Sequence, residues 1–184
     1  MYLSDVDIKR ALAAGDILIE DFDESRLQPA SYDILLGNKF IITRPELNQI
    51  IDPVKQIFPK TQELEVADGQ EFVLHPGVSV LGITHDFVGT NGKFLISISG
   101  KSSLARIGLI VHNTAGIVNP GHHLHITLEL ANLNNIPIVL RPKMEIAQLL
   151  FSQLSSPVSR DYSANGRYHH HNWDGIVPAK KSKS

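Results

Sequence analysis

Cysteine is absent from all 184 residues. That one absence removes disulfides, thiol nucleophiles and every zinc site built with sulfur ligands. Long apolar runs are missing too: no stretch approaches the roughly 20 residues that a membrane helix needs, and no signal peptide opens the chain. Charge of one sign is scarce as well. Against 19 Asp and Glu stand 17 Lys and Arg, so no broad basic field draws the protein to DNA or RNA. The single basic run, "KKSKS" at residues 180–184, reads as a solvated end. A soluble, cytoplasmic protein without nucleic-acid or membrane partners is the expectation. Its length suits one domain with a sizeable buried core.

What the chain does have is many short strands. The candidates are "DILIE", "SYDILL", "KFIIT", "EFVLH", "VSVLGIT", "FLISIS", "LIVHN", "HITLELAN", "IPIVLR" and "IAQLLFSQL", separated by Gly, Pro, Asn and Asp. Spacings of about ten residues, without a βαβ rhythm, predict a mainly β fold, an antiparallel barrel or jelly roll. Alternation is clearest in "HITLEL", where Ile126, Leu128 and Leu130 face one way and His125, Thr127 and Glu129 the other. Two short helices interrupt the strands. Near the start Ser4 can cap, Asp5 and Asp7 suit a first turn, and Gly15 can end the helix. In "SSLARIG", Ser102 or Ser103 can cap and Gly108 can terminate. Residues 1–160 are the expected domain. Beyond them the apolar period fades, and 161–184 read as a tail, either loosely held or ordering over the nucleotide.

"SISGKSSLARIGL", residues 97–109, resembles a phosphate loop but fails the Walker spacing. G-x-x-x-x-G-K-[ST] needs glycine at 95, where this chain has Leu95 in an apolar run. A strand ending at Gly100, then Lys101, Ser102, Ser103 and Arg106, still offers free amides, two hydroxyls and two cations to an anion. An N-cap beside a solvated Arg is the plainer reading of the same residues. Glu129 is mid-strand between apolar neighbours. It belongs either to a solvated surface or to a cleft, where a poorly hydrated carboxylate becomes a better base. "GHHLH" places His123 and His125 on one strand face and "YHHH" adds three more, yet no acid is spaced to complete a zinc set. His75, His85 and His112 stand alone and read as structural. In "HNTAGIVNPG" the small Ala115 and Gly116 permit close backbone approach to a ligand.

"GKSSLARIGL", "HNTAG" and "HITLEL", in this order, resemble the dCTP deaminases of the trimeric dUTPase superfamily. The likeness extends through "SDVDI", "QPASYDILLGNKF", "EFVLHPGVSVLGIT", "RPKMEIAQLLF" and "SPVSRDY". It implies a distorted jelly-roll barrel, a homotrimer with active sites at subunit interfaces, and metal-free deamination of dCTP. Zinc deaminases hold their water with H-x-E…P-C-x-x-C, which a cysteine-free chain cannot build. By the family pattern Glu129 is the general base, with Ser102 and Arg106 assisting. Main chain at Thr114 and Ala115 positions the water, and Thr127 and Leu128 lie against the base. Lys101, Ser103, Gln148 and Tyr162 hold the triphosphate, and Mg²⁺ enters bridging its oxygens. Leu104 and Ala105 fall within the same binding run, and dTTP is a candidate feedback inhibitor.

"TAG" and Gln148 match the branch that carries dCTP on to dUMP. Two departures qualify the match. Asn119 stands where the family usually places an Asp that contacts the sugar 3′-hydroxyl; it can hydrogen-bond there but cannot act as a base. In the tail, a K-Y-x-x-Q pattern becomes Arg167 through His171: Arg167 keeps the cation and His171 replaces the Gln. Two alternatives stand beside the deaminase reading: a dUTP diphosphatase without deaminase activity, and a non-catalytic nucleotide-binding trimer.

Overall fold

The structure, a computed structural model, describes residues 1–44, 50–166 and 168. Helix α1 (Asp5–Ala13) forms as its punctuation dictates: the Ser4 side chain accepts from the Asp7 N–H, and Gly15 follows the last turn at φ +72°. Ile8 and Ala11 bury one face of it against the sheet.

Twelve strands follow, β1 (Ile17–Ile19), β2 (Leu27–Gln28), β3 (Ser31–Thr43), β4 (Thr61–Glu65), β5 (Phe72–Leu74), β6 (Ser79–Thr90), β7 (Phe94–Gly100), β8 (Leu109–Ile110), β9 (Ile117–Val118), β10 (His123–Asn132), β11 (Ile138–Leu140) and β12 (Glu145–Gln153). Helix α2 (Ser102–Arg106) lies between β7 and β8, and α3 (Tyr162–Asn165) follows β12. Ten strands make one antiparallel sheet with the path β8-β10-β6-β3-β12-β7-β9; β5 and β11 pair separately.

Strand β3 decides the shape. "SYDILL" and "KFIIT" were expected as two strands, because Gly-Asn between them reads as a turn. They are instead one strand of 13 residues. Its first half, Tyr32–Leu35, pairs with β12, while its second half, Lys39–Thr43, pairs with β4 and runs beside β6. Register shifts occur in β3 between Leu36 and Phe40 against β6, and in β12 between Glu145 and Ala147 against β3. Such irregularities bend a strand, so the sheet curls here into a half-barrel. Gly37 stands at the bend: a Cβ there would meet the Ile83 carbonyl oxygen at 2.8 Å. The core filling the curl includes Tyr32, Leu36, Phe40, Leu128, Leu130 and Phe151, all fully buried. Each such side chain contributes about 1.5–3 kcal/mol.

Three short strands escaped the sequence reading. "TQELE" (β4) is polar because it is an edge that pairs only with β3, and the two-residue β2 and β9 are too short to show a period. The cap of α2 also differs from expectation. Ser102 and Ser103 lie inside the helix, the N-cap position is Lys101, and no side chain caps it. A third helix was not foreseen. The backbone N–H of Tyr162 donates to the Pro120 carbonyl at 3.1 Å, so the first residues of the expected tail lie against the turn that starts β10. Among the described residues no helix is long and apolar enough to cross a membrane.

Candidate active site

Two hollows collect most of the expected site residues. The first, of about 320 Å³, is lined by Ala115, Asn119, Thr127, Glu129 and Tyr162, with apolar walls from Leu81, Ile98, Ile117 and Leu124 among others. Strand alternation puts Glu129 and Thr127 there. Even-numbered residues of β10 are buried, and Thr127 and Glu129 stand half-buried on the other face. Glu129 lies opposite Leu81 of β6, so its neighbour across the ladder is apolar. Its Oε2 accepts the N–H of Asn113 at 2.9 Å. Asn113 belongs to the "HNTAG" turn, the segment that also brings Ala115 to the hollow. Among the described lining residues the Glu129 carboxylate is the one acid, and no lysine or arginine joins it.

The second hollow, of about 460 Å³, is lined by Lys101, Ser102, Ser103 and Gln148, together with Gln28, Ser31 and Asp33. Gln148 on β12 accepts from the Ser31 hydroxyl at 3.0 Å and donates to the Gly100 carbonyl at 3.4 Å. Lys101 is engaged by two carboxylates, Asp33 and Glu145, each at 2.6 Å. Burial works against its charge, but these bonds outweigh it and hold the Lys101 pKa above the ordinary lysine value. Neither acid was singled out from the sequence. Asp33 is 68 residues from Lys101, and only the crossing of β3 beside β12 brings them together.

The remaining expected residues line neither hollow. Ala105 and Arg106 of α2 are exposed, and Leu104 is half-buried against the core. Leu128 is fully buried on the core face. Arg167 and His171, like His169 and His170, lie outside the described residues.

His122 was missed. It lines the first hollow, is 7 % exposed, and meets the Tyr162 ring at a tilt of 36° with centroids 4.2 Å apart. The signal was in the alternation: 122 shares the parity of the buried 124, 126 and 128. The other histidines of "GHHLH" are occupied differently. The His123 ring covers Gly89, and His125 meets Phe87 edge-on at 5.3 Å. Among the described residues no three His, Asp or Glu side chains gather as a metal cradle.

A family model described as dCTP deaminase-like matches residues 2–154. The chain belongs to that family. A relative from Methanopyrus kandleri named dCTP deaminase, dUMP-forming, is 41% identical over 91% of this chain and 90% of its own. One from Halorubrum lacusprofundi named dCTP deaminase is 40% identical over 95% of this chain and 88% of its own. Among solved structures, the 2′-deoxycytidine 5′-triphosphate deaminase from Agrobacterium tumefaciens superposes with a TM-score of 0.62 at 23% identity. That match covers 82% of this chain and 47% of the other, and it establishes a shared fold. The mainly β, barrel-like architecture expected from the strand pattern is therefore the family's own.

Proposed function

We propose that this protein is a dCTP deaminase whose general base is Glu129. The observation that carries the reading is the Glu129 carboxylate, tethered by the Asn113 N–H and walled by apolar side chains, in a chain of this family. Glu129 takes a proton from a water held against the main chain of Thr114 and Ala115. The water oxygen bonds to C4 of cytosine and Glu129 passes the proton to N3. Glu129 then takes the remaining proton from the C4 hydroxyl and gives it to the amino nitrogen, so that the C4–N bond breaks as the C4 carbonyl forms. Ammonia leaves and dUTP remains. Thr127 and the Leu128 main chain lie along the base, and Asn119 meets the sugar hydroxyl.

A triphosphate needs cations, and no lysine or arginine is among the described residues lining the first hollow. Ser102, Ser103 and Arg106 are exposed on α2 of the same chain, away from it. The site is completed when α2 of a neighbouring copy delivers them, which is the homotrimer the family likeness implies. Ser102 and Arg106 then orient the water and Glu129, and Ser103, Gln148 and Tyr162 contact phosphate. Mg²⁺ arrives on the triphosphate as part of the substrate. dTTP, which shares the sugar and triphosphate, occupies the same site as a feedback inhibitor. Such a nucleotide enzyme works in the cytoplasm.

Deamination outpaces a second step, release of diphosphate to dUMP. "TAG" and Gln148 match the dUMP-forming branch, but Asn119 offers no base to a water attacking phosphate. Incubation with dCTP and Mg²⁺, with dUTP, dUMP and ammonia resolved over time, tests the whole reading. Ammonia with dUTP ahead of dUMP is expected. Cleavage of dUTP without any turnover of dCTP would instead make it a diphosphatase, and binding without turnover a silent nucleotide-binding protein.

A further inference from the structure

Gln148 lines the second hollow beside Lys101, Ser102 and Ser103. An amide serves an anion only one way round: Nε2 donates, whereas Oε1 is an acceptor and repels phosphate oxygens. The glutamine side chain has several rotatable bonds, so without anchors its amide presents either end. Gln148 is only half-buried, and packing alone does not stop that rotation.

Two contacts decide the orientation. The Ser31 hydroxyl donates to Gln148 Oε1 at 3.0 Å, and Gln148 Nε2 donates to the Gly100 carbonyl at 3.4 Å. The reversed amide is disfavoured, because Oε1 would then face the Gly100 carbonyl oxygen and two acceptors repel. The Gly100 contact is longer than an ordinary N–H···O bond, so the Ser31 hydroxyl is the firmer anchor. With Oε1 held there, one N–H of Nε2 goes to Gly100 and the other is left for a ligand.

Ser31 is fixed more tightly than the side chain it holds. It is 7% exposed, opens β3 and pairs with Gln28 across the turn at 29–30. The Asp5 N–H, at the start of α1, donates to the Pro29 carbonyl at 3.0 Å and ties that turn to the helix. Gln148 lies within β12, between Asp33 on one side and Ser99 on the other. A serine has one O–H to give, and Ser31 gives it to Gln148, so it cannot also donate to phosphate.

We propose that Ser31 is a positioning residue for the triphosphate: by holding Gln148 Oε1, its hydroxyl keeps the Gln148 donor turned toward phosphate. The proposal rests on the reading of Gln148 as a phosphate contact.

The test uses Ser31→Ala, Ser31→Thr, Gln148→Ala and the double variant of Ser31→Ala with Gln148→Ala, all in the full chain. Three quantities are measured: dCTP affinity with Mg²⁺ in the Glu129→Gln background; kcat and KM with Glu129 in place; and the NMR order parameter of the Gln148 side-chain amide without nucleotide. In Ser31→Ala, dCTP binding weakens and KM rises about fivefold, while kcat stays within about twofold. The amide order parameter falls into the flexible range. Ser31→Thr keeps the donor and restores affinity to within about twofold. Gln148→Ala weakens binding about tenfold, and adding Ser31→Ala to it changes affinity by less than about twofold.

A direct phosphate ligand at Ser31 would make the two losses multiply in the double variant. A merely structural Ser31 would lower the urea midpoint and leave KM and the amide order parameter unmoved. Either result, or a Ser31→Thr protein that binds dCTP no better than Ser31→Ala, overturns the proposal. Should Ser31→Ala fail to fold, Ser31→Cys, of similar shape but a weak donor, takes its place. Full dCTP affinity in Gln148→Ala would instead overturn the reading of Gln148 as a phosphate contact, while the order parameter would still report on the Ser31 anchor.

Discussion

Glu129 Oε2 accepts the main-chain N–H of Asn113 at 2.9 Å, so the carboxylate is fixed from outside its own strand. The donor comes from the turn that also carries Ala115 to the hollow, which couples the proposed base to the backbone proposed to hold the water. A glutamine at 129 can still accept from Asn113 through its carbonyl oxygen, but it cannot take a proton. Glu129→Gln is therefore expected to lower kcat for deamination by about 10²–10⁴, the usual worth of a positioned general base, with dCTP affinity retained within a few-fold. Ammonia release and equilibrium dCTP binding check the two halves. Full turnover in this variant removes Glu129 as the base.

The separation of Glu129 from Ser102 and Arg106 makes a sharper test of subunit sharing. Arg106→Ala alone is expected to cost about 2–4 kcal/mol of transition-state stabilisation, as for one oriented donor. Mixed trimers go further. When Glu129→Gln and Arg106→Ala subunits, each inactive, are unfolded, mixed equally and refolded, a site drawing on two different chains finds both native residues in about one case in four. Recovery of roughly a quarter of wild-type turnover is expected in that geometry. No recovery means that both residues act from one chain.

The β10 segment shows what alternation can reveal. Its buried even positions and half-buried Thr127 and Glu129 were legible in "HITLEL" because one face meets the core and the other does not. The parity extended one step further than it was followed, and His122 was overlooked. The long β3 was not legible, since Gly37 marks a close approach of β6 and nothing local distinguishes that from a turn. Lys101 reads as a free cation in "GKSS". Its partners Asp33 and Glu145 are distant in sequence and meet it only through the β3–β12 pairing. Local pattern thus announced the strands and the acid, while contacts between remote strands stayed hidden.

Asn119 lines the hollow beside Glu129 but lacks the charge needed to draw a proton from a water at phosphate. Its carbonyl already accepts the His122 N–H at 3.2 Å, which fixes the turn whichever side chain stands there. Asn119→Asp should leave ammonia release unchanged and raise the dUMP share of product. Time courses of dUTP and dUMP in both proteins read this directly. An unchanged ratio shows that position 119 does not limit phosphate cleavage.

Stability should fail on the alkaline side through two named groups. Burial raises the pKa of Tyr32, whose fully buried hydroxyl oxygen accepts the Asp23 N–H at 3.0 Å. For Lys101 burial pulls the other way, but the Asp33 and Glu145 carboxylates hold its pKa above the ordinary value. Both groups therefore bind their protons more tightly in the folded than in the unfolded protein. Their contribution is complete below the unfolded values, about 10 for tyrosine and about 10.4 for lysine, and is lost as pH rises through the folded ones. Urea midpoints should thus stay level with respect to these groups from pH 7 to about 9.5 and fall above that. Tyr32→Phe is expected to be less stable at pH 8, having lost the acceptor for Asp23, yet to show a shallower decline between pH 8 and 11. A decline as steep as that of the wild-type protein would assign the alkaline limb to other groups.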